Sequence, residues 1–339
     1  MKTSDFDYDL PPERIAQEPA SPRESARLMV VDRTKDSFSH RTIRDLPEYF
    51  SPGDLVVVNV SKVFNARLVG SLPDGKSCEV FLIKPDGGRW RALGKPGKKL
   101  DSGARIFFAL DFSCTVIQKH PDGSLTVDFG LTKDEVMKRA NRYGQVPVPP
   151  YIKKVPADDA YQTVYAKHEG SVAAPTAGFH LTASLIEIFK ARGVEFREVT
   201  LHVGLGTFQP IRADDLKGHE MHSEWVEIPE ETVKAIMKAK IERRRVIAVG
   251  TTTVRALEGS VQKCGGRLCA WHGEVDIFIS PGFEFKIVDA LLTNFHLPKS
   301  TLLVLVSALA DPETIKAAYR EAVELKYRFY SFGDAMLII

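Results

Sequence analysis

Four short segments of this chain end in side chains able to do chemistry. An apolar run, Leu55 to Val58, gives way to Asn59, Ser61 and Lys62, and VEFREVTLHVG closes on His202, followed by Gly204, Gly206 and Thr207. RVIAVG opens into Thr251, Thr252, Thr253 and Arg255, and LLTNFHLP carries Asn294 and His296. Amides, hydroxyls, imidazoles and a guanidinium bind anions and move protons near neutral pH. In an open parallel sheet, ligands bind outside the carboxyl ends of the strands, so polar residues gathered at strand ends point to one cleft. GTTTVRALE (250–258) is the most specific of these segments. A buried strand feeding a helix offers free backbone N–H groups and three hydroxyls to a carboxylate or phosphate, with Arg255 placed to grip it bidentately. The competing explanation is that the threonines only cap the helix.

Three histidines recur in these surroundings. GSVAAPTAGFHLT (170–182) is too poor in bulky apolar residues for a core strand, yet sets His180 directly before a helix capped by Thr182. Taken singly, His180, His202 or His296 fits a satisfied core histidine; three at loops or strand ends favour a pocket with general-base chemistry. HEMHSEW (219–225) holds His219 and His222 beside Glu220 and Glu224. It lacks the HExxH order and a third ligand of fixed spacing, so loop hydrogen bonding or substrate contact is preferred to a metal. VGLGTF has no third glycine and no helix at once, which argues against a dinucleotide fingerprint. No GxSxG elbow occurs.

The elements that must position these residues form two textures. From about 64 to 130, six β-rich segments (ARLVGSL, SCEVFLIK, RWRALG, ARIFFAL, SCTVIQK and SLTVDFG) alternate with PDGK, PDGG, LDSG and PDG turns, which predicts a small antiparallel barrel. A helix at 133–143 and a proline-rich extended connector, GQVPVPPYIKKVP, follow. After 155, helices and strands alternate: LTASLIEIFKARG, VEFREVTLHVG, PEETVKAIMKAKIERR, RVIAVG, TTTVRALEGS, a strand at VDIFIS, LLTNFHLP, and DPETIKAAYREAVELKY. The expected architecture is therefore α/β: a mainly parallel-sheet domain, 1–63 and 154–339, interrupted by a β-barrel at 64–153.

Composition narrows the class. At 339 residues, 44% hydrophobic and 27% charged, the chain suits a folded protein of two domains. Lys and Arg (46) nearly balance Asp and Glu (44), so any nucleic-acid contact must come from a local patch; KPGKK and ERRRV read as solvated faces. The four scattered cysteines read as reduced thiols of a cytoplasmic protein. The N-terminal segment has no signal-peptide pattern, and TLLVLVSALA (301–310) is too short to span a bilayer, so it predicts a buried helix.

These blocks carry a resemblance. FDYDLPPERIAQEP, the RL at 27–28, NVSKVFNARL, GSVAAPTAGFH, VTLHVGLGTF, MHSEW, AVGTTTVRALE, DALLTNFHLPKSTLL and YRFYSFGDAM closely resemble the S-adenosylmethionine:tRNA ribosyltransferase-isomerase family of queuosine biosynthesis, in order and from end to end. The resemblance implies transfer and isomerisation of the ribosyl part of S-adenosylmethionine onto 7-aminomethyl-7-deazaguanine at the wobble position of a tRNA. Epoxyqueuosine-tRNA, adenine and methionine are the implied products. S-adenosylmethionine is then a consumed co-substrate, with no metal and no permanently bound cofactor, and the partners are that tRNA and S-adenosylmethionine. The chain is expected to be a cytoplasmic monomer without membrane contact. A tRNA-binding protein without catalysis is the alternative, with a metal-dependent hydrolase built on His219 and His222 weaker.

The implied reaction sets the roles. A base, His180 or His202, removes the proton beside the sulfonium; His296, Asn294 or Glu224 assists departure of adenine; Asp334 receives the amine's proton. Arg255 and Thr251, Thr252 and Thr253 suit the methionine carboxylate, and Arg27 and Lys62 suit phosphate or ribose. Asn59, Thr176, Gly204, Gly206 and Thr207 complete the expected substrate-binding set. The chain departs from the family pattern at Val60, Phe179, Glu274, Val275 and Ser280.

Overall fold

A computed structural model of the chain describes every residue other than 36, 154–157, 205–210, 212 and 220, and every described side chain except those of 158 and 159. It divides into two compact units: Met1–Ser61, Pro150–His168 and Ala174–Ile339 form one, Lys62–Pro149 and Glu169–Ala173 the other.

The larger unit is built on a nine-stranded sheet. Its strands run in the order Trp271–Val275, Glu224–Ile228, Glu195–His202, Leu55–Asn59, Val246–Val249, Ala290–Asn294, Ala335–Ile338, Arg27–Asp32, Ser37–Thr42. The four central strands, Glu195–His202 to Ala290–Asn294, are parallel. Antiparallel pairs flank them, so the sheet is mixed with a parallel centre. Leu55–Asn59, Val246–Val249 and Ala290–Asn294 are buried at every position, as continuous apolar runs covered on both faces must be. Ala183–Ala191, capped by the Thr182 hydroxyl accepting from the Leu185 amide, lays Leu185 and Phe189 on one face among Val56, Val58, Ile247, Val249 and Leu292. The apolar segment from Ser300 is a buried helix, Thr301–Ala310.

The smaller unit is a closed barrel of six strands in the order Leu125–Asp128, Arg89–Lys95, Ser77–Asp86, Arg67–Ser71, Arg105–Ala109, Phe112–Lys119. Each coincides with one of the six β-rich segments. Helix Lys133–Tyr143 adds Val136, Met137 and Ala140 to the barrel core.

Two expectations fail. VDIFIS is not a strand; the edge strand is Trp271–Val275, because its partner ends at Glu224, opposite Val275, and no ladder remains beyond. Nor are all four cysteines thiols: Cys264 and Cys269 form a disulfide, while Cys78 and Cys114 are free and buried. The helix ends at Lys263, and Gly265 and Gly266, at φ +68° and +91°, turn the chain back to bring the two Cα atoms to 6.2 Å.

Candidate active site

The register brings the chemistry-bearing strand ends to one edge of the sheet. Asn59 pairs with Val199, Val249 with Val58 and with Leu292, Asn294 with Ala335, and Ala335 with Leu28. Arg27 and Asp334, which precede Leu28 and Ala335, therefore lie at the same edge as Asn59, Thr251 and Asn294. A cleft enclosing about 660 Å³, part of it open to solvent, lies there, and Thr176, Thr251, Thr252, Asn294, His296 and Tyr330 line it.

On one wall the strand Val246–Val249 turns through Gly250, at φ +87°, into helix Thr251–Lys263. The amides of Thr251 and Thr252 are first-turn donors with no intrahelical acceptor. Thr253 turns its hydroxyl back onto the Val249 carbonyl at 2.7 Å, whereas the buried hydroxyl of Thr252 has no hydrogen-bond partner among the described residues. Thr253 therefore braces the turn, and Thr252 is left with the amides at the cleft.

Arg255 follows on the same helix and is wholly inside the protein. Its Nη1 meets Glu224 Oε2 at 2.5 Å, with the two side chains 4% and 2% exposed, while Gly204 donates its amide to Glu224 Oε1. The Nε and Nη2 of Arg255 are buried without a hydrogen-bond partner among the described residues. These two nitrogens form one edge of the guanidinium, with the geometry of a side-on carboxylate clamp. Two buried, unpaired donors cost on the order of 1–3 kcal/mol each.

The opposite wall comes from the small-residue loop. Ala177 approaches within 3.5 Å of where a Cβ on Gly250 would lie, and a Cβ on Gly178 would fall 2.1 Å from the Tyr165 hydroxyl and 2.7 Å from Thr163 Cγ2. Small residues are thus a packing requirement of the loop. It ends in a short 3-10 turn, Thr176–His180, whose Thr176 hydroxyl donates to Asn294 Oδ1 at 3.3 Å. The Asn294 amide nitrogen reaches His180 Nε2 at 3.2 Å and the Tyr330 carbonyl at 3.0 Å. With Asn294 donating, His180 Nε2 accepts and the ring proton is on Nδ1. Tyr330 holds φ +71°, a costly conformation for an aromatic residue, at the cleft wall.

His296 on the cleft wall and His180 behind Asn294 are both held neutral. Burial, aided by the nearby Arg23 and Arg328 cations, pushes the His180 imidazolium down to about 4, and burial alone pushes that of His296 down to about 3. His296 Nε2 lies 2.8 Å from the Thr293 hydroxyl. His180 faces a second, smaller recess with Arg23 and Phe179. His202 is half-buried and stacks on Trp225, ring centroids 5.1 Å apart.

Other expected residues are occupied elsewhere. Asp334 accepts from the amides of Arg27 and Arg328, at 2.8 and 2.7 Å, and burial raises its carboxyl above its ordinary value against the pull of those amides. The Arg27 guanidinium lies over Tyr327 and donates to the Leu325 carbonyl. Asn59 exchanges hydrogen bonds with the Leu201 backbone and accepts from the Ser61 amide, so it ties adjacent strands together. Lys62 pairs with Glu169 at 3.0 Å. These contacts hold strand ends and turns, and none of the four side chains lines the cleft. Gly206 and Thr207, like Glu220 of the metal reading, lie outside the described residues; His219 packs edge-on against Phe278. Tyr330 and Ser300 also line the cleft; they sit inside the blocks YRFYSFGDAM and DALLTNFHLPKSTLL, but neither residue type marks itself there as a site residue.

The chain matches the family model described as Queuosine biosynthesis protein over residues 3–338. Relatives named S-adenosylmethionine:tRNA ribosyltransferase-isomerase are 48% identical over 340 residues in Thermotoga maritima and 50% identical over 343 residues in Symbiobacterium thermophilum, with 100% of each chain covered. The crystal structure of S-adenosylmethionine tRNA ribosyltransferase from Thermotoga maritima matches with a TM-score of 0.59 at 40% identity, covering 99% of this chain and 100% of that one.

Proposed function

The chain belongs to the queuosine biosynthesis protein family, and from that premise we propose that it transfers and isomerises the ribosyl moiety of S-adenosylmethionine onto the 7-aminomethyl-7-deazaguanine wobble base of tRNA. Epoxyqueuosine-tRNA, adenine and methionine are the products. The observation that carries the site assignment is one helix that brings its first-turn amides and the Thr252 hydroxyl to the cleft and carries, one turn on, a buried Arg255 whose Nε and Nη2 have no partner among the described residues. The methionine carboxylate binds at this helix, and Glu224 holds the guanidinium by Nη1, which leaves Nε and Nη2 to take the carboxylate.

The route abstracts a proton from the carbon beside the sulfonium, expels adenine, lets the RNA amine attack, and closes an epoxide as methionine leaves. His180 is the base: it stays neutral throughout the physiological range, and Asn294 fixes its tautomer until substrate displaces that amide. An imidazole with so low a proton affinity is a weak base, and the acidity that the sulfonium lends its neighbouring carbon offsets this. His202 is the second candidate, and His296 donates or accepts at the departing adenine from the cleft wall.

S-adenosylmethionine acts as a consumed substrate, and the enzyme works in the cytoplasm as a monomer. No helix among the described residues is long and apolar enough to cross a membrane. Incubation with S-adenosylmethionine and the modified tRNA should release adenine and methionine in equal amounts, and His180→Ala should abolish that release while leaving tRNA affinity nearly intact. Normal turnover by the variant would remove His180 from the mechanism.

A further inference from the structure

The near-neutral total charge conceals an uneven distribution. Residues 62–149 and 169–173, the barrel unit, contain 15 Lys and Arg against 10 Asp and Glu, whereas the rest of the chain contains 31 against 34. The barrel unit is thus a polycation of net +5 carried by a chain of net +2.

One outer face of the barrel pairs that charge with exposed apolar surface. Strand alternation turns Val69, Leu93 and Phe107 outward, and they are 46%, 39% and 38% exposed. Ser71 lies opposite Phe107, Val69 opposite Glu79, and Phe81 opposite Leu93, so the row crosses four adjacent strands. Lys95, across from Glu79, and Arg105 are exposed and make no ion pair among the described residues. The Arg105 guanidinium lies 5.2 Å from the centroid of the Phe107 ring. The acid of this face, Glu79, is already held by Arg67 at 2.8 Å. Lys98, in the turn Gly97–Lys99 just beyond Lys95, extends the basic rim.

Resting on the proposed function, we infer that this face, centred on Phe107, Arg105 and Lys95, docks the tRNA substrate. Lysine and arginine without carboxylate partners release counterions on meeting phosphates, and an exposed aromatic ring flanked by arginine is a platform on which an unpaired base stacks. A second copy of the chain is the poorer occupant, because two faces of the same positive charge repel.

The test uses the full-length enzyme and tRNA carrying the amine-modified wobble base. tRNA affinity is measured over a range of salt concentrations, alongside KM for tRNA and for S-adenosylmethionine from adenine release. Lys95→Glu/Arg105→Glu should weaken tRNA binding by roughly 10- to 100-fold and flatten the salt dependence by about one unit of slope per lost phosphate contact. Phe107→Ala should weaken it by about tenfold. In both, kcat, KM for S-adenosylmethionine and the melting temperature should match wild type. The control Lys133→Glu/Lys138→Glu, on the exposed side of the barrel unit's helix, should bind tRNA nearly as wild type does. Unchanged tRNA affinity in the face variants, or an equal loss in the control, overturns the inference. So does a change in self-association of the protein alone with RNA affinity intact. Failure of the wild-type enzyme to bind tRNA overturns the functional reading, and this inference with it.

Discussion

Replacing Arg255 by lysine separates two jobs that the guanidinium performs. Nη1 pairs with Glu224 at 2.5 Å inside the protein, and Nε with Nη2 is left as an empty donor edge. Lysine keeps a positive charge for Glu224 but is a point charge without the side-on fork. A hydrogen bond to a charged group contributes about 1.5–3 kcal/mol, so loss of the clamp on the methionine carboxylate, partly compensated by the remaining ammonium, should cost about 3 kcal/mol. That is roughly a hundredfold in kcat/KM for S-adenosylmethionine, since each 1.36 kcal/mol is about tenfold. The assay is adenine release against S-adenosylmethionine concentration at saturating tRNA, with KM for tRNA as the internal control. Glu224→Gln, by contrast, strands a buried cation and should destabilise the fold by about 3–5 kcal/mol in urea unfolding. If Arg255→Lys lowers stability while S-adenosylmethionine kinetics stay at wild-type values, Arg255 is only half of a structural ion pair and the clamp is refuted.

Thr252→Val tests the same wall from the other side. It should raise KM for S-adenosylmethionine several-fold and leave stability unchanged or improved, because valine removes an unpartnered buried hydroxyl; a loss of about 1 kcal/mol instead would make Thr252 a helix cap. For His296, burial depresses the folded value to about 3 while the unfolded chain titrates near 6.5, so its contribution is complete above about 6.5 and is lost as pH falls toward 3. Wild type should lose about 2 kcal/mol between pH 7 and pH 5 that His296→Asn does not lose, and parallel pH dependence in urea unfolding would contradict it. Gly178→Ala drives a methyl into Tyr165 and Thr163 and should cost about 1–3 kcal/mol, measured as a fall in melting temperature, with activity falling as the loop shifts.

Local signals in the chain reached far into the fold. The barrel strands announced themselves through alternation and Pro-Asp-Gly turns, and Thr182 and Gly250 marked helix starts that the structure contains. VDIFIS misled because its alternate residues are indeed buried, Ile277 and Ile279 among them, but burial without a partner strand makes no ladder. The disulfide was illegible because Cys264 and Cys269 meet only through the positive-φ turn at Gly265 and Gly266.

At the cleft, residue type picked out side chains that the register gathers at one sheet edge, but not each residue's partner. Asn59 and Asp334 carry groups that can serve a reaction, yet both are spent on backbone amides, a division that depends on register between strands far apart in sequence. The antiparallel return of Ala335–Ile338 beside Ala290–Asn294 is what delivers Asp334 and Tyr330 to the same edge as Asn294. No periodicity in the sequence encodes that pairing.

The central claim is that S-adenosylmethionine gives up its ribosyl carbons to the tRNA. Two preparations of S-adenosylmethionine, one labelled in the ribose and one in the methyl group, should be incubated with the enzyme and the modified tRNA, and the wobble nucleoside isolated for mass spectrometry. The ribose label should enter the nucleoside while the methyl label leaves entirely with methionine. Methyl label in the tRNA, or adenine retained in uncleaved S-adenosylmethionine, would contradict it.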